Sequence, residues 1–392
     1  MQDPVVVVVA KRTPIGTFGG MFQDVSARKL AELTMRNIVE TAGIDPTIIS
    51  DVIMGNCIQR TDEPNIARTA ALDAGFPKEV TGWTVQRQCS SGMQAIISGY
   101  QQITLGDSEV VLAGGVESMS SAPYVLKDAR FGKRLMHGQM TDGLWELLTD
   151  PHHNILMGET AERLVDLYGI TREEQNEIAL SSHQKASFAS KSGKFEDEII
   201  PIELIKRKES ITITQDEHIR HDITEEGLRK LKPTFRTDGT VTAGNSSGLN
   251  DGASAVLMMK KSKAHALGLT PLGKIVSYAW AGVEADLMGY GPVPAVKKVF
   301  GKSGLTLADM NLIEVNEAFA AQYLAVEKLL ELDRSITNVN GSGIALGHPV
   351  GSTGSRLIVT LLHELKRRNQ TYGLATLCAG GGMGMAMVVE SM

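Results

Sequence analysis

Short apolar segments rich in valine and isoleucine recur along the whole chain and alternate with helical patterns, which leaves few folds open to it. The segments are residues 5–10, 52–54, 110–113, 253–258, 312–315, 374–378 and 385–389. Each is too short for a buried helix and too uniformly apolar for a strand with one wet face, so each reads as a strand covered on both sides. Residues 27–41, 91–103, 318–332 and 354–367 carry the apolar spacing of helices that could supply the cover. The expected class is α/β, with layered sheets and helices between them.

The two ends of the chain resemble each other. Asp51-Val-Ile-Met-Gly-Asn56 matches Asn311-Leu-Ile-Glu-Val-Asn316 after 260 residues, and Ala113-Gly-Gly115 matches Ala379-Gly-Gly381 after 266. A duplicated α/β half accounts for both matches. Residues 1–119 plus a return segment at 245–270 form the first copy, and residues 271–392 the second. Between them, residues 120–244 read as an inserted loop domain, rich in charge and isolated prolines, with a helical stretch at 170–189 and little strand pattern.

Composition narrows the function. A formal net charge of -6 and an aromatic content of 5% give no basic or stacking platform for nucleic acid. The three cysteines, Cys57, Cys89 and Cys378, are far apart and form no CxxC pair, so neither a disulfide framework nor a zinc site is expected, and a reducing compartment is. The valines at 5–9 lack a preceding basic region, and no apolar run approaches the length of a membrane span. The expected location is the cytoplasm, with no membrane partner.

Four places could carry chemistry. Cys89, in Thr84-Val-Gln-Arg-Gln-Cys-Ser-Ser-Gly-Met-Gln-Ala95, stands where a strand-like stretch gives way to a helix. There, free N–H groups and the positive dipole end would favour a thiolate, although a free cysteine also packs well as a small apolar group. His348 lies in Asn340-Gly-Ser-Gly-Ile-Ala-Leu-Gly-His-Pro-Val-Gly351, where four glycines imply close backbone approach and Pro349 restricts the histidine. The alternatives are a solvated loop histidine or a dinucleotide loop, but the latter should open a helix directly after the first strand. Cys378 ends a buried strand and runs into Gly380 to Gly382, whose N–H groups could hold an oxyanion, or it simply packs. Asn316, in Asn316-Glu-Ala-Phe-Ala320, follows the strand at 312–315 and could donate into the same cleft or cap the next helix. Together these supply a nucleophile, a base and oxyanion donors, a set suited to acyl transfer rather than hydride transfer. Cys57 has no such neighbours and reads as core.

Gln88-Cys-Ser-Ser-Gly-Met93, Asn316-Glu-Ala-Phe-Ala320, Gly347-His-Pro349 and Cys378-Ala-Gly-Gly-Gly-Met-Gly384 resemble the four signature blocks of the thiolases. Arg12-Thr-Pro-Ile-Gly16 and the segment from Thr242 to Gly252 are similar to further family segments. The resemblance implies two βαβαβαββ halves in an α/β/α/β/α arrangement with an inserted loop domain. It also implies an acyltransferase of the short-chain, biosynthetic type, which condenses two acetyl-CoA to acetoacetyl-CoA and CoA, and reverses this, through an acyl-cysteine. Cys89 would be the nucleophile, His348 its base and Cys378 the acid/base at the substrate α-carbon. The N–H groups of Cys89 and Gly380 would form one oxyanion hole; His348 and a water held by Asn316 would form the other.

The same resemblance places Ala243, Ser247, Gly248, Ala318 and Phe319 along a pantetheine, Arg220 near its nucleotide end, and Met157 and Met288 at the acyl pocket. Leu156 departs from the histidine common in short-chain bacterial members. The resemblance implies no cofactor beyond the coenzyme A thioester substrates, no metal, and a homotetramer assembled through the loop near residues 119–140. The competing readings are a degradative member acting on longer 3-oxoacyl-CoA, a noncatalytic carrier of CoA or lipid with the same fold, and a decarboxylating condensing enzyme.

Overall fold

The computed structural model of the protein describes residues 3–206 and 209–392. Its centre is one ten-stranded sheet. Nine of the strands are β1 (Val5–Arg12), β2 (Asp51–Gly55), β3 (Thr81–Val85), β4 (Val110–Ser118), β5 (Asn250–Lys260), β6 (Gly273–Gly282), β7 (Leu312–Val315), β8 (Tyr372–Ala379) and β9 (Met383–Ser391). The pair Gly16–Thr17 adds to β5. The spatial order is β7-β8-β9-β6-β1-β5-β4-β2-β3.

The order is a duplication. In the first half, β2 runs parallel to β4, β4 antiparallel to β5 and β5 antiparallel to β1. In the second, β7, β8, β9 and β6 repeat that pattern. The halves join where β1 meets β6. The counterpart of β3 shrinks to a single parallel bridge between Ile313 and Thr337.

Sheet register corrects both internal matches. The bulges at Val8 of β1 and Val276 of β6 are equivalent, which makes Met258 the counterpart of Val389 and, one strand further, Val111 the counterpart of Gly373. Asp51 pairs with Val111 and Leu312 with Gly373, so Asp51 corresponds to Leu312 and the first match is one residue out of step. Ala113 corresponds to Ala375, not to Ala379. The place equivalent to Cys378 in the first half is held by Val116, and Glu117 corresponds to Ala379.

Helices cover the sheet because its strands are apolar on both faces. On one side, α1 (Ala27–Ala42) and α2 (Ile66–Asp73) bury Leu30, Met35, Ile38 and Ala70 against Val52, Met54, Leu112 and Leu257. In the middle lie α3 (Ser91–Leu105) and α8 (Val350–Arg368). One cluster there joins Ile96 and Leu361 to Val111 and Val256 of the first half and to Ala375 and Met387 of the second. Full burial of side chains such as Ile96 and Leu361 stabilises the fold by roughly 2 kcal/mol each. The far side is covered by α6 (Pro292–Ser303), α7 (Ala320–Leu330) and two helices of the intervening segment, α4 (Met157–Tyr168) and α5 (Arg172–Lys191). The three short hairpins of that segment stay outside the main sheet. No helix of the described residues is long and apolar enough to cross a membrane.

This layering aims the N-termini of α3 and α8 at each other. A Cβ placed on Gly115 would lie 2.0 Å from the Gly351 carbonyl oxygen and 3.0 Å from the Gly92 Cα. Only glycine on β4 lets both helix starts approach this closely.

Candidate active site

The chain leaves β3 at Val85 and reaches α3 through a tight turn in which Gln88 takes a left-handed φ of 47°. The turn is held by Ser91, whose hydroxyl donates to the Gln88 carbonyl at 2.6 Å and accepts the Arg87 N–H at 2.8 Å. The Cys57 thiol also donates to the Gln88 carbonyl, at 3.2 Å. Cys89 follows, half-buried, two residues before the first helical residue.

Its thiol does not behave as helix position alone suggests. Burial pushes it up to about 11, against the lowering effect of hydrogen bonds from the Gly380 N–H and its own N–H. A helix end contributes at most about 2 kcal/mol, whereas burial can move a titration by several pH units. Burial wins, so the resting group is a thiol and needs a base.

His348 is buried rather than solvated, with 5% of its surface exposed. Its N–H donates to Asn250 Oδ1 at 2.8 Å, which fixes the backbone just ahead of α8. Thr353 Oγ1 donates to the Pro349 carbonyl at 3.0 Å and lies 2.6 Å from His348 Nδ1. We assign the hydroxyl's hydrogen to Pro349, which gives the ring hydrogen to Nδ1 and makes Nε2 the acceptor. Asn316 Nδ2 stands 3.5 Å from that Nε2. Burial, with the nearby Arg356 charge, holds the imidazole down to about 3, so it is neutral at physiological pH. Thr353→Val keeps the shape but removes the Nδ1 partner; proton transfer from Cys89 should slow on the order of tenfold, with KM changed far less, in single-turnover acylation.

Asn316 is not the cap of the following helix, because α7 begins at Ala320 with Phe319 as its N-cap. It extends β7, with its N–H on the Thr376 carbonyl at 3.0 Å. Its Oδ1 is buried and has no hydrogen-bond partner among the described residues. Gly343 passes so close that a Cβ there would lie 2.6 Å from this oxygen.

Cys378 is wholly buried near the end of β8, and its titration is raised by burial and by the neighbouring Cys89. Gly380 begins the turn that follows, and a Cβ on it would meet the Met157 sulfur at 3.5 Å and Gln88 at 3.8 Å. Met288, Ala318 and Phe319 share one packed cluster with Cys378, and Met157 lies against it. The structure therefore brings Cys89, Cys378 and Gly380 together, sets His348 beside Asn316, and packs both methionines near Cys378.

The segment from Thr242 lies along residues 318–320. Ser247 donates its N–H to the Ala318 carbonyl and Ala320 to the Asn245 carbonyl, each at 2.9 Å. Phe319 is braced edge-on by Phe235, 5.9 Å between ring centres. Gly248 abuts the His218 ring, which shares a surface hollow with Leu249 and the exposed Arg220. Ala243 is exposed on the same segment, and Leu156 is half-buried directly before α4. Among the described residues, no cluster of histidine, cysteine, aspartate or glutamate is arranged to hold a metal.

Sequence reasoning missed Asn250, Thr353 and Glu117. Asn250 lay within the quoted 242–252 segment, and Thr353 is five residues after His348 in the same glycine-rich block. Glu117 directly follows Ala113-Gly-Gly-Val116, but nothing local marks it.

The family model described as Thiolase, N-terminal domain matches residues 5–262, and Thiolase, C-terminal domain matches residues 269–391. An acetyl-CoA acetyltransferase of Pseudomonas aeruginosa is 48% identical over 395 residues, covering 99% of each chain. The crystal structure of the Bacillus anthracis acetyl-CoA acetyltransferase is similar with a TM-score of 0.98 and 56% identity, covering 100% of this chain and 99% of that one. The human mitochondrial 3-ketoacyl-CoA thiolase in complex with CoA is similar with a TM-score of 0.96 and 45% identity, covering 100% and 98%.

Proposed function

This chain belongs to the thiolase family, and on that premise we propose that it is an acetyl-CoA C-acetyltransferase, interconverting two acetyl-CoA with acetoacetyl-CoA and CoA. The observation that carries this reading is the Gly380 N–H at the Cys89 sulfur, which joins the turn after Cys378 to the start of α3. A nucleophilic thiol, an oxyanion donor and a second thiol then converge on one reacting group.

In the cleavage direction, the bare Nε2 of His348 takes the Cys89 proton as the sulfur attacks the 3-oxo carbon. The N–H groups of Cys89 and Gly380 hold the oxyanion that forms. The C2–C3 bond breaks, and its electron pair passes to C2 as an enolate of acetyl-CoA. Cys378, kept a thiol by burial, protonates C2. An incoming CoA thiol then attacks acetyl-Cys89 and gives its proton to the Cys378 thiolate. His348, a donor through Nε2–H while protonated, returns its proton to Cys89. Condensation is the reverse, and no cofactor enters either direction.

Ser247, Gly248, Ala243, Ala318 and Phe319 suit the thin pantetheine arm, with Arg220 toward the nucleotide phosphates. Supporting a short acyl group are Met157 against Gly380 and Met288 packed with Cys378. Thiolysis of acetoacetyl-CoA should exceed that of long-chain 3-oxoacyl-CoA by roughly tenfold or more in kcat/KM, since each methylene that must be refused is worth about 1–3 kcal/mol. Equal or faster cleavage of long chains would overturn the short-chain assignment and favour a degradative role. The proposed assembly is a homotetramer built through residues 119–140, where Tyr124, Leu126, Phe131 and Leu135 are exposed. The proposed compartment is the cytoplasm.

A further inference from the structure

Glu117 takes no part in the proton transfers above, yet it is completely buried beside them. Its carboxylate accepts four hydrogen bonds from N–H groups, and the Cys57 thiol also stands beside it. Oε2 accepts from Cys57 and Gly351, each at 2.9 Å; Oε1 accepts from the Asn56 side chain at 2.8 Å and from Ile58 at 3.0 Å. A carboxylate can receive all four, whereas a carboxylic acid or an amide would turn a donor against at least one of them.

The four donors come from both halves of the fold. Asn56, Cys57 and Ile58 follow β2, in the half that carries Cys89. Gly351 stands in the first turn of α8, three residues after His348. The same clasp reaches the nucleophile turn, because the Cys57 thiol donates to the carbonyl of the left-handed Gln88, next to Cys89. One carboxylate thus binds the base-bearing helix to the loop that braces the nucleophile.

The internal duplication supplies a second argument. Register makes Glu117 the counterpart of Ala379, the residue next to Cys378. Each β4/β8 strand end meets the helix start of the opposite half: the turn after Cys378 reaches Cys89 through Gly380, and Glu117 reaches Gly351. In one half the strand end carries a thiol suited to proton transfer; in the other it carries a carboxylate already committed to four N–H groups.

We propose that Glu117 is a positioning residue, whose ionised carboxylate fixes α8, and with it His348, against the Cys89 turn. This rests on the reading of Cys89 as nucleophile and His348 as its base. Burial raises Glu117 to about 7 despite its donors, so its charge depends on keeping all four in place.

The test is a double-mutant cycle on the rate at which acetyl-CoA acetylates Cys89, followed by mass spectrometry in single turnover. Glu117→Gln should slow acetylation roughly ten- to hundredfold with KM for acetyl-CoA changed far less, as expected for a lost charge-assisted contact that acts only on proton transfer. In the His348→Ala background, the same change should slow it by less than about threefold, since the base it positions is gone. Full-rate acetylation by Glu117→Gln, or an equal loss with and without His348, overturns the proposal. If Glu117→Gln does not fold, Cys57→Val decides it: removal of the arm to Gln88 should slow acetylation about threefold when His348 is present, and an unchanged rate overturns the clasp. Wild-type protein that never gains an acetyl group on Cys89 would instead refute the underlying mechanism.

Discussion

Cys89→Ser should yield folded protein in which thiolysis and condensation fall by on the order of 10⁴-fold or more, with no acetylated residue found after incubation with acetyl-CoA. The substitution exchanges sulfur for oxygen at a half-buried site and leaves the turn's own contacts, through Ser91 and Cys57 to Gln88, in place. What changes is the nucleophile. The thiol already stands at about 11 because of burial, and a hydroxyl in the same surroundings would be far harder to ionise. A neutral His348, held down to about 3, is a weak base for that task. The Gly380 N–H would still be available to an oxyanion, so weak residual activity is compatible with the assignment. Activity within tenfold of wild type, or an acetyl group recovered on another residue, would remove Cys89 from its role.

Much of this site could be seen in the sequence because its parts stand at strand–helix junctions, which local patterns reveal. Cys89, His348 and Cys378 stand near glycines or a proline that make little sense in a simple connection, and Asn316 directly follows a short apolar run. What escaped depends on distance in space. Glu117 matters because it meets Gly351, 234 positions away, and no neighbour in sequence announces that. Thr353 matters through its hydroxyl, which lies between the Pro349 carbonyl and His348 Nδ1, a contact only the folded chain shows. The strand Gly273–Gly282 was not among the apolar runs because Lys274, Tyr278 and Trp280 leave one face partly open. Its signal is alternation, not a continuous run. The duplication is real, but the two short matches that suggested it are out of step with the hydrogen-bond register, Asp51–Asn56 by one residue and Ala-Gly-Gly by four. Helix position suggested an easily ionised Cys89, and burial, which a sequence does not display, reversed that.

Cys378→Ala should separate the two half-reactions that Cys89→Ser destroys together. Acetyl transfer from acetyl-CoA to Cys89 needs the nucleophile, His348 and the oxyanion donors, none of which the change removes, so acetyl-Cys89 should still form within about tenfold of the wild-type rate. Carbon–carbon bond formation needs a proton taken from the methyl group of the second acetyl-CoA. That step loses its base, and net condensation should fall roughly 10³-fold, within the range of general acid–base catalysis. Burial gives the expectation its sign: the Cys378 titration is raised by its apolar surroundings and by Cys89, so its thiolate is a strong base once formed and its thiol a persistent acid otherwise. Alanine fills the same buried place with a smaller group, and the cavity should cost only about 1 kcal/mol of stability. A denaturant titration of both proteins would show that the loss is chemical. Condensation within tenfold of wild type would show that another group moves the α-proton, and equal loss of acetylation and condensation would show that Cys378 supports the site rather than the carbon acid.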